Sequence, residues 1–189
     1  TPRPETEQVV GFAMEKIANL QSPVIIDLCS GSGAIAISLA TEVLGSKVFA
    51  VEKSEEAFDY LLQNAATHGL SEGNLRNEDL QDSLTKLDGQ VDLVISNPPY
   101  IPDSAIPIDP EVRDYDPDLA LYGGEDGLDV IRDISGIGAA LLRPGGLLVL
   151  EHADGQSDAI RELLLNDGWF SVSAFQDATL RYRTITAIR

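Results

Sequence analysis

The stretch Asn97-Pro98-Pro99-Tyr100 concentrates unusual chemistry in four residues. Proline has no backbone N–H and a fixed φ, and it pushes the preceding residue toward extended geometry, so a strand arriving at Asn97 must stop there. The carbonyls of Asn97 and Pro98 are then released from ladder pairing, and the Asn97 side-chain oxygen is another acceptor in the same place. Two convergent acceptors suit a planar NH₂ group, each taking one N–H, and an aromatic ring such as Tyr100 can cover its flat face. The two prolines could equally be a plain strand terminator, so the meaning of the motif depends on its surroundings.

A second constellation lies upstream. Asp27-Leu28-Cys29-Ser30-Gly31-Ser32-Gly33-Ala34-Ile35-Ala36 follows a short apolar run and opens a helical one. Gly31 and Gly33 allow a tight turn and close backbone approach to a ligand. Glu52 comes about 20 residues later at the end of the next strand, where a carboxylate can accept hydrogen bonds from both ribose hydroxyls. Together these residues describe a nucleoside site.

The glycine spacing fits a dinucleotide as well, so a nicotinamide-dependent oxidoreductase competes. Charge separates the two readings. A pyrophosphate is dianionic, yet Cys29 to Ala36 holds no Lys or Arg and Asp27 stands just before it. S-adenosylmethionine presents an ammonium and a sulfonium, which an acidic loop favours at close range. On that reading Asn97 and Pro98 hold the acceptor NH₂ in line with the sulfonium methyl, and their oxygens stabilise positive charge building on nitrogen.

The elements that must position these groups alternate. Apolar spacing predicts a helix over residues 5–20, a buried strand over 24–28, a helix over 34–44 and a strand over 47–51. Ser54 caps a helix running to His68 and stopped by Gly69. A weakly signalled third strand covers 75–78 and a strong one 91–96. A Pro- and Asp-rich stretch from Ile101 to Gly127 shows little periodicity, and a loop of that length inside a compact domain is usually functional or disordered. A helix over 128–142, a turn at Pro144-Gly145-Gly146, a strand over 147–150 and a helix over 156–166 follow. Strands over 169–175 and 181–188 succeed each other as an antiparallel pair would. The expected fold is α/β, a doubly wound, mostly parallel sheet with an antiparallel C-terminal hairpin, whose ligands bind beyond the carboxyl ends of the strands.

The 189 residues suit one domain, and a net charge of -18 repels polyphosphate, so direct nucleic-acid binding is not expected. Cys29 is the one cysteine, which excludes an internal disulfide and a Cys-based metal cage. No metal site, no membrane contact and a cytoplasmic location are expected. The opening Thr1-Pro2-Arg3 lacks an ordinary start residue, so an N-terminal part is expected to be missing. His68 reads as a helix-end residue, His152 and Trp169 as structural, and Arg3 and Arg113 as solvated surface arginines.

At these residues the chain resembles the peptide-chain release factor glutamine methyltransferases, the HemK family, within the class I S-adenosylmethionine-dependent methyltransferases. Pro2-Arg3-Pro4-Glu5-Thr6-Glu7 looks like the family's entrance motif, residues 27–33 its cofactor loop, and Asn97 to Ile101 its glutamine-binding motif. Glu111-Val112, Asp116-Pro117, Ala120-Leu121, Gly123-Gly124 and Asp126-Gly127-Leu128 resemble its long loop, and Glu151-His152 with Gln156 its late strand and helix. The resemblance implies a seven-stranded class I fold and methylation of the glutamine in the Gly-Gly-Gln motif of release factors, the expected protein partner. It places Asp27, Cys29, Gly31, Gly33, Glu52, Asp79, Leu80 and Asn97 around the cofactor, Asp79 on the adenine amino group. Asn97, Pro98, Pro99 and Tyr100 then take the glutamine, with Asn97, Pro98 and Tyr100 as the catalytic group. It also implies a helical N-terminal substrate-binding domain outside this chain.

Two departures are visible. Cys29 stands where the family usually has glycine, and Asp177 to Arg181 lacks the usual glycine of the last turn. The competing readings are an N6-adenine or N2-guanine nucleic-acid methyltransferase, which shares Asn-Pro-Pro-Tyr but needs a basic channel, and a noncatalytic S-adenosylmethionine-binding module.

Overall fold

The computed structural model describes residues 4–82, 84–107, 113 and 116–189. Pro2 and Arg3 of the entrance motif and Glu111-Val112 of the long loop lie outside the described residues.

Seven strands form one sheet: β1 (Val24–Leu28), β2 (Lys47–Glu52), β3 (Leu75–Asn77), β4 (Val91–Ser96), β5 (Leu142–Glu151), β6 (Phe170–Gln176) and β7 (Tyr182–Ile188). Their order is β3-β2-β1-β4-β5-β7-β6. The first five pair in parallel, and β7 runs antiparallel to both β5 and β6. The chain steps outward from β1 through β2 to β3, then returns to place β4 on the other side of β1. That reversal is a topological switch point, and a crevice opens where the connections diverge.

The strands read as near-continuous apolar runs because both faces are covered. Ile25, Val48 and Ala50 point to one side, where they meet α1 (Pro4–Ile17), α2 (Ala34–Glu42) and α3 (Glu55–His68) through Val9, Ala13, Leu39 and Leu61. Ile26, Leu28, Phe49 and Val51 point to the other, against α5 (Asp129–Leu141) and α6 (Ser157–Asn166) through Ile131, Ile134, Ile160 and Leu164. Ser54 caps α3 by accepting from the Ala57 N–H at 3.3 Å, and Gly69 ends it at φ 78. His152 and Trp169 are buried, and the Trp169 indole donates to Ser135 Oγ at 2.9 Å.

Several elements differ from expectation. The third strand is three residues long, and α1 and α2 stop at Ile17 and Glu42. Pro144-Gly145-Gly146 interrupts no strand: it lies within β5 as an excursion, since Val91 pairs with Leu142 whereas Leu93 pairs with Leu147. The long loop carries structure of its own, a single helical turn α4 (Asp118–Leu121) and a parallel bridge between Ile101 and Tyr122. The last hairpin turns without glycine because Leu180 takes φ 65 while Asp177 Oδ1 accepts from the Thr179 N–H, the Thr179 hydroxyl and the Arg181 N–H. Among the described residues no helix is long and apolar enough to cross a membrane.

Candidate active site

A cavity of about 550 Å³ opens over the carboxyl ends of β1, β2 and β4, at the switch point. One wall is the loop after β1. Ser30 fastens that loop to β2: its hydroxyl donates to the Asp27 carbonyl and accepts from the Val51 N–H, and its own N–H donates to the Val51 carbonyl. Gly31 (φ 55) and Gly33 (φ 90) occupy the left-handed region. Open space lies over Gly31, whereas a Cβ on Gly33 would run into Leu61 and Ile37. So Gly31 faces the cavity and Gly33 seats α2 against α3, off the cavity wall.

Glu52 lines the cavity and is 9% exposed. Its carboxylate accepts from the Gly31 N–H and from the Ser54 N–H, both at 2.7 Å, one on each oxygen. Each oxygen keeps a further lone-pair site. The same carboxylate that can take ribose hydroxyls therefore also shapes the loop beside it.

Asp27 sits beneath the loop, fully buried and away from the cavity wall. Its Oδ2 accepts from the Ala36 N–H at 3.1 Å, and Oδ1 has no hydrogen-bond partner. Burial, the main cause, pushes its pKa up to about 8. Cys29 lines the cavity with φ 59, a left-handed geometry that explains why glycine is usual at such a position. Burial first, then the Glu52 carboxylate, raise its thiol to about 12, so it stays protonated and unreactive.

Asp79 lies two residues beyond β3 and lines the cavity with Leu80, which opens a 3-10 turn. Lys53 Nζ is 2.7 Å from the Asp79 carboxylate, and that hydrogen bond holds Asp79 below the usual carboxylate range. Glu52, Asp79, Asp116 and Asp133 outnumber Lys53 among the described cavity residues. The enclosure suits a cation far better than a pyrophosphate. Space, open backbone at Gly31 and the remaining lone pairs of Glu52 all fit S-adenosylmethionine.

The opposite wall is Asn97 to Ile101, directly after β4. Three remote segments hold it. The Asn97 Nδ2 donates to Thr6 Oγ1 at 3.3 Å, and the Thr6 hydroxyl donates to Glu151 Oε2 at 2.8 Å. Gln156 donates to the Tyr100 carbonyl at 2.8 Å while its Oε1 accepts from the Ala153 N–H. The long loop folds back through hydrogen bonds from Ile101 N–H to the Leu121 carbonyl and from Gly123 N–H to the Ile101 carbonyl. A Cβ on Gly123 would lie 2.7 Å from the Pro99 oxygen, and one on Gly127 would strike the Tyr100 oxygen. These glycines let the loop backbone press onto the acceptor motif.

The cavity thus gathers nine of the eleven residue positions singled out from sequence for cofactor or acceptor, leaving Asp27 and Gly33 behind it as supports. Reading the sequence did not assign roles to Thr6, Ser30, Glu151 and Gln156. Ser30 has a local signal, a serine inside the strand-to-helix turn. Thr6 and Glu151 each fall in a stretch that resembles a family motif, but nothing local links them across 145 residues.

Residues 10–109 match the methyltransferase small domain family. A release factor glutamine methyltransferase of Streptomyces coelicolor is 47% identical over 98% of this chain and 66% of its own length. The chain belongs to the release factor glutamine methyltransferase family. It spans between 62% and 67% of the length of the first such relatives. A 4-amino-L-phenylalanine/4-methylamino-L-phenylalanine methyltransferase of Streptomyces pristinaespiralis is also similar, at 37% identity over all of this chain and 65% of that protein. Among solved structures, a release factor-specific protein-(glutamine-N5) methyltransferase of Alicyclobacillus acidocaldarius superposes with a TM-score of 0.60 at 24% identity, covering all of this chain and 93% of that one. The family's fold is the class I S-adenosylmethionine-dependent methyltransferase fold, and the strand order with its antiparallel hairpin agrees with it.

Proposed function

We propose that this chain transfers a methyl group from S-adenosylmethionine to the side-chain amide nitrogen of the glutamine in the Gly-Gly-Gln motif of peptide-chain release factors. The observation that carries the reading is that Asn97 to Tyr100 and the Gly31–Glu52 pair line one cavity at the switch point. S-adenosylmethionine supplies a methyl on a positively charged sulfur. Glu52 and the Gly31 backbone hold the nucleoside end, with Asp79 and Leu80 on its flank. Asn97 Oδ1 and the Pro98 carbonyl take one N–H each of the carboxamide, and Tyr100 covers its plane.

An amide nitrogen is a weak nucleophile because its lone pair is delocalised, so orientation has to supply the barrier reduction, on the order of 7 kcal/mol in favourable cases. Nitrogen would gain positive charge as its bond to the methyl carbon forms and the sulfur–methyl bond breaks to leave a neutral thioether, and the two oxygens would stabilise that charge until an N–H proton passes to water. The acidic enclosure speaks against a nucleic-acid strand, which needs a basic track.

A second reading is favoured by the amino-phenylalanine relative: an aryl amine is also a planar NH₂ acceptor. One experiment separates them. Full-length protein is incubated with methyl-labelled cofactor and, in parallel, a release factor, its Gly-Gly-Gln peptide, 4-amino-L-phenylalanine and an adenine-containing oligonucleotide, and the product is located by mass spectrometry. Label on the glutamine amide is the expected result; label confined to the amino acid or the oligonucleotide overturns it.

A further inference from the structure

We propose that Thr6 and Glu151 form a relay that decides which way round the Asn97 carboxamide sits, making both positioning residues for the acceptor. The inference rests on the glutamine reading above and deepens it.

The oxygen and nitrogen of an asparagine side chain are nearly alike in shape, so packing alone does not choose between them. Proton counting does. A carboxylate can only accept, so Glu151 must take the one hydroxyl proton of Thr6. Thr6 Oγ1 is then left to accept, and Asn97 has to face it with Nδ2. The observed distances, 3.3 Å from Asn97 to Thr6 and 2.8 Å from Thr6 to Glu151, carry that sequence of donors. Oδ1, on the other branch of the amide, is thereby assigned to the cavity as an acceptor. A flipped amide would set Oδ1 against the Thr6 lone pairs and its NH₂ against the incoming NH₂, losing a hydrogen bond at each end.

The relay is built into rigid elements. Ser96 and Leu150 are register partners in β4 and β5, so Asn97 and Glu151 follow each other at the same edge of the sheet. Thr6 lies in the first turn of α1, and Thr6 and Glu151 are both nearly buried, at 8% and 2% exposure. The C-terminal hairpin clamps α1 in place: the Phe12 and Phe175 rings are 4.3 Å apart, Gln8 accepts from the Ala178 N–H, and Arg181 lies 3.4 Å from Glu5.

The test uses the full-length protein and the Gly-Gly-Gln peptide, with wild-type turnover measured first. Thr6→Val keeps shape and removes the hydroxyl. It should lower kcat/KM roughly tenfold to a hundredfold, since misplacing an acceptor costs on that scale. Cofactor affinity by calorimetry should hold within about twofold, and Thr6→Ser should recover most of the loss. In an Asn97→Ala background, Thr6→Val should add almost nothing, because the group it orients is gone. Glu151→Gln, which abolishes the acceptor-only character, serves as the second variant if Thr6→Val melts early. Wild-type-like turnover in Thr6→Val, or full multiplication of the Thr6 and Asn97 effects, overturns the relay alone. A wild type that leaves the glutamine unmethylated overturns the acceptor reading and the relay with it.

Discussion

On the nucleoside wall of the cavity, neighbours in the sequence hold one another: Ser30 with Val51 and Gly31 with Glu52 are each 21 residues apart. On the acceptor wall, Asn97 is fixed by a residue 91 positions away, Thr6 by one 145 away, and Tyr100 by one 56 away. The nucleoside wall can form as soon as β1 and β2 pair. The acceptor wall needs α1, the end of β5, the start of α6 and the long loop all in place. On the proposed assignment of the two walls, catalytic geometry is therefore the more exposed to remote substitutions, whereas cofactor binding depends on a compact local unit.

The largest expected effect tests that division at its sharpest point. Asn97→Ala removes one of the two acceptors and the end of the relay. Methyl transfer should fall by about 10² or more while the cofactor dissociation constant changes far less. Steady-state turnover beside a calorimetric titration measures both. Equal losses in the two would mean that the walls are not separable.

Next in size is a pH effect from behind the nucleoside wall, where Asp27 Oδ1 is buried without a hydrogen-bond partner. The folded-state pKa, about 8, lies above the ordinary 3.8, so between these values the folded protein binds the proton that the unfolded chain releases. Stability should fall as pH rises, by up to about 1.4 kcal/mol per unit. Buried His152 works in the opposite direction, its pKa lowered by burial, and its contribution is lost only on acidification below its ordinary value of 6.5. Melting curves from pH 6.5 to 8 isolate Asp27: wild type should lose stability across that window and Asp27→Asn should be nearly flat. A flat wild-type profile would mean the carboxyl has found a partner in solution.

Glu52 sharpens the comparison because it acts both inward and outward. Glu52→Ala should raise the cofactor dissociation constant about tenfold through lost charge-assisted hydrogen bonds. It should also lower the melting temperature without cofactor, since the Gly31 and Ser54 N–H groups lose their acceptor. Unchanged melting with weakened binding would assign Glu52 to the ligand alone.

The same contrast decides what the sequence alone discloses. Strand–turn–helix spacing and Glu52 made the nucleoside wall legible, because its contacts are local and its glycines have steric reasons. Asn97 to Tyr100 were legible as chemistry, since prolines end a strand wherever they stand. The supports of that motif were not: no periodicity links Thr6 to Glu151 or Gln156 to Tyr100. The helical turn at Asp118 to Leu121 was likewise hidden, because four residues between Pro117 and Tyr122-Gly123 carry no periodic signal, and the parallel bridge that orders them comes from Ile101 across the loop. Pro144-Gly145-Gly146 was read as a turn because local rules cannot know that β5 resumes pairing after an excursion.

The smallest effect probes Cys29, a left-handed residue on the nucleoside wall. Cys29 holds φ 59, where a Cβ is strained by about 1 kcal/mol. Its thiol contributes no reactivity at neutral pH. Cys29→Gly relieves that strain but loosens the unfolded chain and gives up some buried side-chain surface, effects that offset much of the gain. Stability should therefore change by less than about 1 kcal/mol, with cofactor affinity unchanged or slightly tighter as room opens in the cavity. A substantial loss of affinity in that variant would show that the cysteine side chain packs on the ligand, and that this wall owes part of its grip to a residue outside its hydrogen-bonded unit.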